Sequence, residues 1–363
     1  MKSVNKLRDI FDHEIVEGET ILIKTRNNLL YDVNNGSGDL AFRIGYLIWT
    51  LNGSNMLQSL GFHGGCMGGY TDDGETLRGA YGPRLRYWIG ADALQEAIKI
   101  NQDIDKPEDY IKPTGVDQIE STYNDLNSGL PASSMSIFDP ALDYESTRHV
   151  PDLHRVTFVK QGEKLNMNLN FLQVSAHGQM LNDCWIFMAI HRMMASMLNK
   201  ETGAVLITVD SVMCVDGVVK DSPVNCECVN DKEDVTEDNF KDDYVKLKDF
   251  EKHLRMQMSS DTFTNEKVSV ELLLHTLKNK LLYTIKSLYM RSLGYTVLAT
   301  VVARHCDDIA KYEDHIIEAL GFLEQNNKDL FYELVMYLIS ICVGDESTKL
   351  RIRFGEILNG SQN

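Results

Sequence analysis

Between Lys164 and Phe171 apolar and polar residues alternate without a break, with Leu165, Met167, Leu169 and Phe171 in one set and Asn166, Asn168 and Asn170 in the other. A period of two sends successive side chains to opposite faces, so the stretch predicts a strand with a core on one side and an Asn-lined face on the other. Such a face is a polar cavity, a wet sheet surface or a partner interface, and the last two are the commoner uses. A second strand over 155–160 precedes it, joined through Gln161-Gly162 as a hairpin turn. Further strands are expected over 20–25, over 133–139 where Pro140 stops the run, and over 204–209, with 213–219 continuing the sheet.

Helical spacing appears elsewhere. Residues 40–51 are apolar nearly all round and predict a buried helix, opened by the turn-forming run 34–39 and stopped at Asn52-Gly53. Residues 91–101 predict a helix, and 180–198 a buried, methionine-rich one in which the methionines fill the core. The segment 61–90 is rich in glycine and reads as loop, and 103–121 as a polar connection. Those glycines follow no G-x-G-x-x-G pattern after a strand and lead to no Lys-Ser/Thr, which excludes a nucleotide P-loop. Composition changes after Cys228: the acidic run 230–243 predicts a solvated linker, and the helical period then dominates over 246–258, 268–289, 295–312, 315–325 and 329–343. The chain thus divides into a mixed sheet-and-helix domain over 1–229, a linker over 230–243 and an all-helical region over 244–363.

At 363 residues and 43% hydrophobic composition the chain can bury a large core. No apolar run is long enough to cross a bilayer and the first nine residues lack the apolar segment of a signal peptide, so no membrane and a cytoplasmic location are expected. Seven scattered cysteines then read as reduced thiols, and Cys226-Glu-Cys228 lacks the second pair of a zinc clip. With 53 acidic against 36 basic residues the net charge is -17, which makes duplex DNA a poor partner while leaving a local pocket free to take a small anion.

Several segments carry a resemblance. Trp49-Thr-Leu-Asn-Gly-Ser-Asn55, the run from Asp72 to Arg86, Ile137-Phe-Asp-Pro140, Val150-Pro151 and Gly162-Glu-Lys-Leu-Asn-Met167 stand in the order and at the spacing seen in thymidylate synthases. The chain most resembles phage-type members and the related pyrimidine-nucleotide hydroxymethylases, over residues 20 to 219, and its helical region resembles that of some phage members. The resemblance implies an α/β (α+β) three-layer sheet fold over 1–229 with a C-terminal all-helical extension. It also implies a homodimer through the sheet face, or a heteromer with a paralogue, and transfer of a one-carbon unit from methylenetetrahydrofolate to C5 of a pyrimidine nucleotide. That chemistry uses a cysteine thiolate on C6, arginines on the substrate phosphate, and a glutamate, a tyrosine and water for protons.

Carried over position by position, most of that machinery is absent. The nucleophile's place after Pro151 is held by Asp152, whose carboxylate cannot form a comparable thiolate adduct. Tyr46 stands where the family has a glutamate, Pro131-Ala132 where it has an Arg-Arg pair, Leu172-Gln173 where it has Arg-Ser, and Met213-Cys-Val215 where it has His-x-Tyr. Trp49 and Tyr81 match, and the base-reading asparagine falls on Asp183, or on Asn182 if one residue is deleted. A carboxylate there can accept from a cytosine amino group. The plain alternatives are a charge near a helix N-terminus for Asp183 and a structural turn tyrosine for Tyr81.

The catalytic residues are therefore unknown, with Asp152 and His154 as candidates because two positions apart on a strand is one face. Cys184 is either a displaced nucleophile or, more commonly for a helix cysteine beside a tryptophan, core. Three functional readings stay open: a degenerate thymidylate-synthase-like scaffold, regulatory subunit or partner of an active paralogue; a divergent enzyme acting on a pyrimidine base through Asp152, His154, Tyr81 and Asp183; and a helical region that recruits a partner protein.

Overall fold

A computed structural model describes residues 20–23, 40–65, 67–88, 115–144, 147, 149–175, 179–213, 235–258, 267–305, 312–341 and 352–357. The helix expected over 91–101 and all but Met213 of the strand expected over 213–219 lie outside them. Five strands form one sheet: β1 (Thr20–Ile23), β2 (Ala132–Ser136), β3 (Leu153–Gln161), β4 (Lys164–Ser175) and β5 (Glu201–Met213), in the order β1-β5-β4-β3-β2. Neighbours run antiparallel except β4 and β5, which are parallel. A parallel pair needs a crossover, and the helix Gln179–Met197 supplies it.

The alternation in β4 sets the register. Val156 pairs with Leu169 and Phe158 with Met167 across β3, while Met167 pairs with Val205 and Leu169 with Ile207 across β5. All of these are withdrawn from solvent, whereas Asn166, Asn168 and Asn170 on the opposite face are half-buried. The β3–β4 turn sits one residue later than expected: Gly162 and Glu163 are its two loop residues, and Gly162 takes φ +60°, the requirement of a type II′ turn at its first position. Strand β2 is an outer edge, and Gln118 blocks it by pairing its side-chain amide with both the N–H (2.8 Å) and the C=O (2.7 Å) of Ser136.

Helices α1 (Leu40–Leu51), α2 (Leu57–Phe62), α3 (Tyr81–Arg86), α4 (Gln118–Asn127), α5 (Pro140–Asp143) and α6 (Gln179–Met197) complete the first part. The helical region contains α7 (Glu237–Met258), α8 (Lys267–Lys280), α9 (Leu288–His305), α10 (Glu313–Asn326) and α11 (Lys328–Ile341). On one face of the sheet lies α6, on α6 lies α1, and α9 and α11 pack in turn on α1. Every residue of α1 is buried, as its sequence demands.

Besides α3, a short helix inside the glycine-rich segment 61–90 read as loop, three elements differ from expectation for physical reasons. Helix α4 occupies part of the polar connection, and its start is a cap: the Asp117 carboxylate accepts from the Glu120 N–H at 3.0 Å. The acidic stretch read as a solvated linker is helical from Glu237 on, with Phe240 and Asp243 buried. Asp243 explains the third difference, the break within 268–289. Its carboxylate accepts from the backbone N–H of Lys286 (2.9 Å) and Ser287 (2.7 Å), so the chain leaves α8, makes a turn over Leu282–Thr284 and restarts as α9.

Polar contacts also join the two parts. Tyr244 on α7 donates to the Leu51 carbonyl (2.5 Å), His63 pairs with Glu251 (2.8 Å), and His305 lies flat on Phe62 with ring centroids 4.1 Å apart. Gly45 makes the second contact possible, because a Cβ there would fall 2.3 Å from the His63 ring.

Candidate functional site

Helix α1 projects Arg43, Tyr46 and Trp49 at intervals of three, near enough to one helical turn to share a side. Tyr46 stacks between Phe42 (centroids 5.4 Å) and Tyr81 (6.2 Å), and Tyr81 in turn meets Phe187 edge-on at 5.5 Å. Tyr81 opens α3, and the following Gly82 lets that helix press on the backbone at Gly53 and Ser54, where a Cβ would come within 2.6 Å of the Ser54 carbonyl. This seating aims the phenol at α6. The Tyr81 hydroxyl donates to Asp183 Oδ2 at 2.9 Å, and Asp183 is 0% exposed. Beside it Arg43 Nε donates to Asn182 Oδ1 at 3.0 Å.

Asp152 faces the same cluster from the start of β3. Burial raises its carboxyl to about 6, and its charge acts on Tyr81, whose own ionisation is pushed well above the usual range by burial first and then by Asp183, Tyr46 and Asp152. Four polar side chains therefore share one neighbourhood: Tyr46, Tyr81, Asp152 and Asp183.

His154 is not among them. The register slips between Leu153 and Arg155, a bulge that turns His154 aside. Its ring stacks on Phe138 at 4.5 Å, its Nε2 is buried without a hydrogen-bond partner, and the charges that act on it are Asp143 and Asp210. Neither that ring contact nor those charges involve Asp152. Trp49 is occupied structurally, its indole N–H donating to the Met56 carbonyl at 2.9 Å. Cys184 is 0% exposed, and burial followed by the neighbouring Asp183 charge holds its thiol far above the usual range, the opposite of what a nucleophile needs.

The arginines nearby have partners. Arg84 makes a two-pronged pair with Asp143 (2.7 Å to each oxygen) and also donates to the carbonyls of Ile137 and Arg78; Arg86 pairs with Asp117 and Arg192 with Asp329. Reading the sequence did not single out Arg43, Arg84 or Glu333, which accepts from the Trp185 indole at 3.1 Å. A charge inside an otherwise apolar run is the signal that marks Arg43 in 40–51 and Glu333 in 330–339; Arg84, among Arg78, Arg86 and glycines, has no such signal. Among the described residues no group of three or more His, Cys, Asp or Glu side chains could hold a metal ion, and no helix is long and apolar enough to cross a membrane.

No protein-family model matches the chain, and no curated protein does. Among solved structures it is similar to thermostable thymidylate synthase A from Bacillus subtilis, at 15% identity and a TM-score of 0.40, over 55% of this chain and 65% of that one. The chain thus matches less than two thirds of that protein's length, and a likeness of this size carries no conclusion about activity.

Proposed function

We propose that this protein is a thymidylate-synthase-like scaffold of pyrimidine-nucleotide metabolism with a degenerate catalytic site, built on a three-layer sheet fold and acting as a scaffold, a regulatory subunit or the partner of an active paralogue. The order of the motifs from Trp49 to Met167 supports the family reading. The observation that carries the degenerate reading is the hydrogen bond from Tyr81 to Asp183: the carboxylate at the base-reading position is already satisfied by the protein's own phenol, inside a wall of Tyr46, Phe187 and Trp49. Two further observations agree. An aspartate stands at the nucleophile's position and the neighbouring thiol of Cys184 is inert, while Arg84, Arg86 and Arg192 are spent on internal carboxylates. The half-buried face carrying Asn166, Asn168 and Asn170 is the surface for a homodimer or for a heteromer with a paralogue.

The test is incubation of the purified protein with dUMP or dCMP and methylenetetrahydrofolate. The proposal expects no methylated or hydroxymethylated product; product formation overturns it.

One observation favours a second reading, a divergent enzyme modifying a pyrimidine base. Asp152 is half-buried with a carboxyl held near 6, a value suited to proton transfer near neutral pH. Under that reading Asp152→Asn abolishes whatever turnover exists while leaving the fold intact. Turnover that survives the substitution removes Asp152 from consideration.

A further inference from the structure

The last long helix buries a carboxylate against the segment that carries Asp183. Glu333 on α11 is 4% exposed, and its hydrogen-bond donor is the Trp185 indole, 3.1 Å from Oε2 and 3.4 Å from Oε1. Trp185 lies two residues beyond Asp183 on α6, so this contact ties the helical region to the acceptor of Tyr81.

The charged groups facing Glu333 come from three helices. Arg43 on α1 and Arg192 on α6 attract it, and Asp329, one turn earlier on α11, repels it. Asp329 is itself paired with Arg192 at 2.9 Å. Of the other helices packed on α11, α9 buries no charged side chain, and the buried titratable group of α10, His315, is engaged by Lys278 (2.9 Å) and Glu271 (2.9 Å). Glu333 is therefore a carboxylate in an apolar interior whose ionisation depends on a few identifiable charges. Burial, the largest influence, raises its carboxyl to about 7, with Arg43 pulling the other way.

Arg43 is also the donor to Asn182, through Nε at 3.0 Å. One guanidinium thus lies under the influence of the α11 carboxylate while holding the residue next to Asp183. We infer that Glu333 is a proton-responsive contact through which the helical region acts on the 182–185 segment: ionised Glu333 draws Arg43 toward α11, and neutral Glu333 leaves it on Asn182. The inference does not depend on whether the site at Asp152 turns over a substrate.

Nuclear magnetic resonance of the full chain tests it. The chain has three tryptophans, and the indole N–H of Trp49, held by the Met56 carbonyl, serves as the internal control. Between about pH 5 and about pH 9 the Trp185 indole resonance and the Arg43 Nε–H resonance move together, with a midpoint within about one unit of neutrality. Glu333→Gln leaves both at their acid-side positions throughout, and Asp329→Asn, by removing a repelling charge, lowers the midpoint. A Trp185 resonance that stays fixed in the natural protein, a titration that survives Glu333→Gln, or an Arg43 signal that ignores the Trp185 transition each overturns the inference. The natural-protein titration decides the matter even if a variant fails to fold.

Discussion

The Tyr81 hydroxyl donates to Asp183 across 2.9 Å, joining two side chains 102 positions apart in the chain and both hidden from solvent. A base-reading carboxylate must have a free face for its base. Here the Asp183 carboxylate meets a phenol wedged between Tyr46 and Phe187, and under the proposed function this bond serves the fold.

Tyr81→Phe tests how much. Removing the hydroxyl leaves a buried carboxylate short of a donor, and such a loss costs about 1–3 kcal/mol. Urea denaturation of the variant should show a lower midpoint with an unchanged slope. A midpoint equal to that of the natural protein would mean that Asp183 does not need Tyr81.

Asp152 makes a prediction about pH. Its carboxyl is raised from 3.8 to about 6 by burial, so the folded chain holds the proton more tightly than the unfolded one. For an acid shifted upward, the favourable contribution is fully present below the unfolded value and is lost as pH rises from about 3.8 through about 6. Asp152→Asn keeps the neutral form at every pH. Its melting temperature should therefore exceed that of the natural protein above pH 6 and converge with it in acid. A difference independent of pH contradicts the assignment.

Cys184 should be unreactive in the native state, because burial and the Asp183 charge disfavour its thiolate. Alkylation followed by peptide mass spectrometry should find this cysteine unmodified in native protein and modified after denaturation. Native labelling would reopen the possibility of a displaced nucleophile.

Asp243 holds the break between α8 and α9. Asp243→Ala removes the acceptor of the Lys286 and Ser287 N–H groups, and the buried one, on Ser287, is left unmade at about 1–3 kcal/mol. Amide exchange should accelerate at 286–287 and at the start of α9; uniform exchange rates would show that the turn stands without its cap.

How much of this was legible follows from the range of each interaction. The period of two in β4 is a local property, and the face it predicts is the face that is buried. The uniform apolarity of 40–51 likewise predicts a buried helix, and that helix is found. The hairpin turn missed by one residue because Gly162 can serve at either of two adjacent positions and the cross-strand register decides. Helix α4 was visible in principle, through Asp117 three residues before Glu120, but a polar segment gives weak periodicity. Other features had no local signal. Nothing near Asp243 says that it will cap residues more than forty positions away, so its acidic run reads as solvated. The site divides the same way. Tyr81, Asp152 and Asp183 come together, whereas His154 is turned aside by a bulge that no alternation pattern reveals.

The most direct measurement is calorimetric titration of the purified protein with dUMP and with dCMP. With Asp183 already engaged by the Tyr81 hydroxyl, no detectable heat of binding is expected for either nucleotide. Micromolar binding of one of them, lost in a variant of Asp183, would contradict the account.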